Sequence, residues 1–224
     1  MKHLVESFFL GVSICMLWAL IGCAGNDTVT DIDGNVYHTV KIGDQIWMAE
    51  NLKVTRYRNG NPIFHIKESK KWKDLTEGAY CNYNNDSGYT ANYGCLYNWY
   101  AVNDLRTLAP EGWHIPSKEE VATLINNTKG DTLAAGKMKA IGTQFWISPN
   151  AGATNESKFS ALPGGYRHGL DGSFHTLGSN GYWWAFTESF EMFSWSARIY
   201  QVFADVKRDA YCMNYGLSVR CIKD

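Results

Sequence analysis

Residues 161–188 read ALPGGYRHGLDGSFHTLGSNGYWWAFTE. Glycines and polar turn formers break the segment every few residues, and large rings fill the intervals. So interrupted a stretch supports neither a long helix nor a long strand. It predicts short strands joined by loops, because Gly accepts the positive φ that tight turns require. Pro163-Gly164-Gly165 marks one sharp turn, and Gly181 marks another before Tyr182-Trp183-Trp184. Strand alternation sends Trp183 and Trp184 to opposite faces, one into the core and the other outward or under a loop. The whole chain shares this aromatic bias, with 9 Trp and 13 Tyr in 224 residues. That is too many rings for a disordered stalk. It suits a small core built from rings, or a surface that stacks on sugars.

The N-terminus sets the compartment. Lys2 supplies a short positive region, and residues 8–20 are largely apolar. This run falls short of the roughly 20 residues a spanning helix needs. It has the length of a signal-peptide core, although Glu6 is unusual there. It ends in Leu20-Ile21-Gly22-Cys23, which resembles a bacterial lipobox. Cleavage would precede Cys23, whose thiol would take lipid, each buried CH₂ contributing about 0.8 kcal/mol. Residues 1–22 are therefore expected to be a signal peptide, 23–30 the lipidated Cys and its tether, and 31–224 one folded domain. The expected location is the cell envelope, anchored in the membrane through Cys23. Ala24 rather than Asp follows, which favours the outer membrane.

The formal net charge is −1, and losing Lys2 with Glu6 leaves it unchanged. No basic excess points to nucleic acid. Beyond the leader and Cys23, four cysteines remain: Cys81, Cys95, Cys212 and Cys221. An even number in an exported chain predicts two disulfides. Cys81–Cys221 with Cys95–Cys212 would tie the early chain to the final strands; Cys81–Cys95 with Cys212–Cys221 is the alternative. Zinc is not expected, since no CxxC or paired His accompanies them. The DIDG at Asp31 is read as a turn, because an EF-hand needs Gly at its sixth position and Glu at its twelfth. Here Gly34 is fourth and Ile42 twelfth.

Along the chain, DIDGNVYHTVKIGDQIWMAENL predicts a hairpin, with turns at Asp33-Gly34 and Gly43-Asp44. A polar excursion follows, in which Trp72 among lysines is expected to fold back onto the domain. GCLYNWYAVNDL suits a short helix. Ser117-Lys118-Glu119-Glu120 is a capping box ahead of the apolar stripe Val121, Leu124, Ile125. Capping accounts for that acid pair, so it carries no catalysis. A third helix is expected over 131–140. Strands are expected at 159–162, 182–186 and 194–203, then a final hairpin turning at 214–216. This order predicts an α+β domain.

These segments are similar to the Fibrobacter succinogenes major paralogous domain family. The carriers are TVTDIDGNVYHTVKIGDQIWMAENL, YGCLYNWYAV, LAPEGWHIPSKEE, ALPGGYR, DGSF, GYWWAFTE and GLSVRCIKD. They are collinear and cover nearly all of the mature chain. GWHIPSKEE and GLSVRC also look like the helix-opening motif and closing strand of the formylglycine-generating-enzyme group. That resemblance implies a single C-type-lectin-like domain: two or three short helices and a twisted, mainly antiparallel sheet with long loops. His114 stands where that group has Arg. The group's closely spaced catalytic Cys pair has no counterpart, and neither do the Glu-Pro-Asn and Trp-Asn-Asp sugar motifs of calcium lectins. Fold alone does not carry function.

The candidate ligand surface is the loop beyond Pro163: Tyr166, Arg167, His168, Asp171 and His175, with Trp184 at its base. Rings stack on sugar faces, and Arg or His bonds hydroxyls and carboxylates. His168, Asp171 and His175 are metal-ligand types, but their spacing is not diagnostic. No G-x-S-x-G nucleophile motif occurs. No catalytic residue, metal or cofactor is assigned. The expected function is a non-enzymatic envelope lipoprotein that binds glycan or another extracellular polymer. The alternative is a structural or adhesive protein with a protein partner.

Overall fold

The computed structural model describes residues 27–128, 130, 132–186 and 193–224. The expected signal peptide, Cys23 and residues 24–26 lie outside the described residues. The chain opens with β1 (Thr28–Thr30), β2 (Val36–Ile42) and β3 (Gln45–Met48), an antiparallel meander. Ile42 pairs with Gln45, so Gly43-Asp44 is a two-residue turn, with Gly43 at φ +62°. Positive φ at the first turn position matches the strand twist. β1 draws residues 28–30 into the sheet, which removes them from the expected tether. Along β2, Tyr37 rather than Val36 is buried. The Tyr37 hydroxyl donates to the Asp31 carboxylate at 2.6 Å, which also accepts from the amides of Asp33 and Asn35. The DIDG stretch is thus a turn whose acid is engaged by protein donors.

The excursion adds β4 (Phe64–His65), α1 (Ser69–Lys73), β5 (Ala79–Cys81), α2 (Thr90–Tyr93), β6 (Leu96–Tyr97) and α3 (Trp99–Val102). β4, β5 and β6 form a small mixed sheet. Trp72 is fully buried and its indole N–H donates to the Asn214 carbonyl at 2.8 Å. The helix expected within GCLYNWYAVNDL, residues 94–105, is shorter, because Leu96 and Tyr97 pair with β5 and Asn98 caps α3. β7 (Trp113–His114) then leads into α4 (Lys118–Asn127). The Ser117 hydroxyl accepts from the Glu120 amide, and the Glu120 carboxylate accepts from the Ser117 amide at 2.7 Å. This is the expected capping box, and Val121, Leu124 and Ile125 point into the core. α5 (Ala134–Met138) follows.

The last third contains the short hairpin β8 (Tyr166–Arg167) and β9 (Phe174–His175). The antiparallel meander β10 (Asn180–Trp184), β11 (Phe193–Tyr200) and β12 (Val206–Cys212) comes next. β13 (Ile222–Lys223) ends the chain between β3 and β7, closing a sheet of order β1-β2-β3-β13-β7. The fold is α+β with short helices and mainly antiparallel sheets.

Three sequence expectations change. Residues 159–162 make a single bridge, Lys139 to Ala161, rather than a strand. Residues 217–219 do not pair in a terminal hairpin; β12 takes that place beside β11, while Leu217 bridges Tyr97 and Ser218 bridges Trp183. Residues 216–222 are buried without interruption, so alternation there does not separate a wet face from a dry one. Both Trp183 and Trp184 are buried as well, at 6% and 1% exposure. Trp183 lies in one core cluster with Trp47, Phe159 and Ile125, and Trp184 in another with Trp99, Tyr97 and Leu217. β10 runs between two core clusters, so neither of its faces meets solvent.

The disulfide expectation is also overturned: Cys81, Cys95, Cys212 and Cys221 are free thiols. Cys81 packs in a cluster with Trp72, whereas Cys221 and Cys95 belong to the main core and Cys212 ends β12 half-exposed. Burial pushes the Cys81 and Cys95 thiols up to about 12 and raises Cys221 too. These three act as small apolar side chains.

Long loops leave many carbonyls to satisfy, and three buried cations meet part of that demand. The Lys139 ammonium donates to the carbonyls of Ala151 at 2.7 Å, Phe203 at 3.0 Å and Tyr200 at 3.1 Å. The Arg220 guanidinium bonds the Phe159 carbonyl and Asn51 Oδ1, and stacks on the Phe159 ring at 4.2 Å. Arg167 is the third.

Candidate functional site

Arg167 is fully buried. Its guanidinium donates to the carbonyls of Ile66 at 2.6 Å, Lys67 at 2.8 Å and Gly172 at 3.1 Å. It stacks between Trp72 at 4.4 Å and Phe174 at 5.0 Å. It therefore pins the excursion to the β8–β9 hairpin and has no face for a ligand. Trp184 is equally committed: its indole N–H donates to the Tyr97 carbonyl at 2.8 Å. These two residues leave the expected ligand set. Their burial has one cause, since a short strand in a loop-rich fold is covered on both sides.

The other four expected residues converge at the surface. Tyr166 is half-buried and lies near-parallel to His175, with centroids 5.2 Å apart at 28°. It is also near-parallel to Tyr215, at 5.7 Å and 24°. His168 meets Tyr215 edge-on at 4.9 Å. A polar chain runs alongside. His168 Nδ1 lies 3.1 Å from Asp171 Oδ1, and the Ser173 hydroxyl donates to the same oxygen at 2.5 Å. His175 Nε2 lies 2.6 Å from Ser173 Oγ. The hydroxyl and amide of Ser173, with His168 adding charge, hold the Asp171 carboxyl down to about 2. An ionised Asp171 only accepts, so the single Ser173 proton points to it. His175 must then donate through Nε2. This polarity is the reverse of a Ser–His nucleophile pair, in which the imidazole accepts the hydroxyl proton. The cluster can order hydroxyl groups beside stacked rings.

Ser173, Tyr211 and Tyr215 were missed in the sequence. Tyr211 contacts Tyr215 at 5.1 Å and accepts from Arg198 at 3.0 Å. Asn214 holds the turn in place by donating to the carbonyls of Lys73 and Gly169. The YCMNYG stretch carries two Tyr around a turn former, a signal for rings at a loop. It does not say which distant loop they meet. Burial raises the hydroxyl pKa of Tyr166, Tyr211 and Tyr215 above the ordinary range. Among the described residues, no three His, Cys, Asp or Glu side chains are placed to hold a metal ion. No helix among them is long and apolar enough to cross a membrane.

The family model for the Fibrobacter succinogenes major domain matches residues 40–223, a span that includes every residue of this cluster. The chain belongs to that family. Neither the comparison with curated proteins nor that with solved structures found a match.

Proposed function

We propose that this chain is a non-enzymatic envelope lipoprotein whose domain binds glycan or another extracellular polymer. Lipid on Cys23 would anchor it, in the outer membrane by the Ala24 argument. The observation that carries the reading is the surface cluster of Tyr166, His175 and Tyr215. Stacked rings there adjoin a chain of hydroxyl-bonding groups, the pairing that recognises an amphipathic sugar. The reversed Ser173–His175 polarity favours binding over acyl-transfer chemistry. A C-type-lectin-like fold is consistent with the helix–helix–strand order and with β13 closing the N-terminal sheet.

A glycan array probed with residues 24–224, with and without EDTA, tests this reading. Binding to one sugar class, lost in His175→Ala and Tyr215→Ala, is expected. Folded protein that binds nothing, or binding untouched by both variants, overturns it.

A protein partner is the second reading. Among the described residues the outer edge of β12 pairs with no strand. Phe193, Val202 and Phe203, on and beyond β11, are about half exposed. An open edge beside apolar side chains suits strand addition.

A further inference from the structure

A second concave site shares no lining residue with the ring cluster. It is a cleft of about 460 Å³ between β4, the segment before β5, and the end of α3. That volume falls within the range of small-ligand sites. Phe64 of β4, 54% exposed, and half-buried Tyr100 of α3 supply rings. Among the described residues, neither packs on another ring. The Thr76 hydroxyl, the Glu77 carboxylate and the Asn103 amide also line the cleft, and none has a side-chain partner among the described residues.

The walls are held firmly. Buried Asn98 donates to the Glu77 carbonyl at 2.8 Å and accepts from the Ala79 amide at 2.9 Å, which fixes residues 77–79. Arg106 forms a two-pronged pair with Asp104, at 2.8 and 2.6 Å, and stacks on Tyr57 at 4.1 Å. The free groups therefore sit on a preorganised frame, which lowers the ordering cost of binding.

Charge narrows the ligand class. Arg106 neutralises Asp104, so Glu77 leaves the cleft with an unbalanced negative charge. That disfavours uronates and other acidic sugars. A lone ammonium group would use Glu77 but leave Thr76 and Asn103 idle. A saccharide uses all of them, placing its C–H face on the rings and its hydroxyls on the polar groups. We infer that this cleft is a second carbohydrate subsite, selective for saccharides without acidic groups. The inference rests on the proposed glycan reading for its ligand class, and on the cleft alone for its place.

The test is calorimetric titration of the full-length chain in a sugar-free zwitterionic detergent. The probes are β-1,4-linked tetrasaccharides of glucose, xylose, mannose and N-acetylglucosamine, with a lysine-rich peptide as the contrast. At least one tetrasaccharide is expected to bind. Tyr100→Ala and Phe64→Ala should each weaken it by about tenfold, while Tyr215→Ala leaves that component intact. Phe64 is exposed, so its variant serves if Tyr100→Ala does not fold. Saccharide binding abolished by Tyr215→Ala but not by the cleft variants overturns this inference and supports the ring cluster. Loss in the cleft variants alone supports it and removes the ring cluster. Peptide binding lost in Glu77→Gln, without saccharide binding, overturns it in favour of a protein partner. No binding of any probe overturns it as well.

Discussion

Arg167→Met separates a structural role from a ligand-binding one. In a binding loop, this substitution would cost affinity and little stability. The structure assigns Arg167 three carbonyl acceptors within 3.1 Å, two on the distant excursion and one across its own hairpin. A hydrogen bond from a charged donor is worth about 1.5–3 kcal/mol, so three gross about 5–9 kcal/mol. Stacking on Trp72 and Phe174 adds about 1–2 kcal/mol. Met recovers the stem packing and removes the cost of burying a cation without an acid, which offsets about half of that gross. The net loss is about 3–5 kcal/mol. In a domain of this size it lowers Tm by roughly 6–20 °C. Urea unfolding followed by Trp fluorescence would measure it, with His175→Ala as the surface reference at about 0.5 kcal/mol or less. If Arg167→Met unfolds within about 1 kcal/mol of wild type at an unchanged urea slope, the carbonyl-staple argument is wrong.

Three further outcomes follow from the geometry. His114 bonds Asp224 at 2.6 Å and Glu120 at 2.9 Å; burial opposes its charge, but the two acids outweigh it and raise its pKa above the ordinary value of 6.5. A raised folded pKa stabilises fully below the unfolded value and loses that contribution as pH rises through the folded one. The urea midpoint should therefore drop from pH 5.5 to 8.5 by more in wild type than in His114→Gln; equal drops would refute the assignment. Cysteine mapping by mass spectrometry should find Cys212 alkylated by iodoacetamide in native buffer, with Cys81, Cys95 and Cys221 protected until urea is added. A disulfide-linked peptide in the non-reduced digest would contradict it. Gly78→Ala would put a Cβ 2.0 Å from the Tyr57 hydroxyl and 3.0 Å from Ala101 Cα. It should cost about 1–3 kcal/mol, and Tyr57→Phe in the same chain should recover part of that; an unperturbed melting curve for the single variant would refute the clash.

What was legible in the sequence were features encoded within a few residues. The hairpin at Gly43-Asp44 and the capping box at Ser117 depend on local φ and local hydrogen bonds, and both stand where expected. The α+β class and the family were readable for the same reason, as collinear local signals. Part of the candidate site was not. Arg167 and Trp184 looked available because a loop rich in Gly and polar residues reads as solvent-facing. Their burial comes from segments roughly 90–100 residues away in sequence, at Ile66, Lys67 and Tyr97. Tyr215 was missed for the converse reason: its ring partner Tyr166 lies in β8, distant in sequence. The cysteine parity argument failed because parity does not bring two thiols together.

The three buried cations show why polar residues mislead in a chain of this composition. Short strands satisfy few carbonyls, so the interior needs donors that reach several acceptors at once. Lys139, Arg167 and Arg220 provide them at the joints between segments, each against at least one large ring. The rings supply apolar area and a cation-binding face together. A Trp- and Tyr-rich core and buried cations are then parts of one solution. The same reasoning separates staple from site. A polar side chain whose donors all meet fixed backbone carbonyls is holding the loops. One whose groups stay unmatched among the described residues beside an unpartnered ring, as Asn103 is beside Tyr100, is free to meet a ligand.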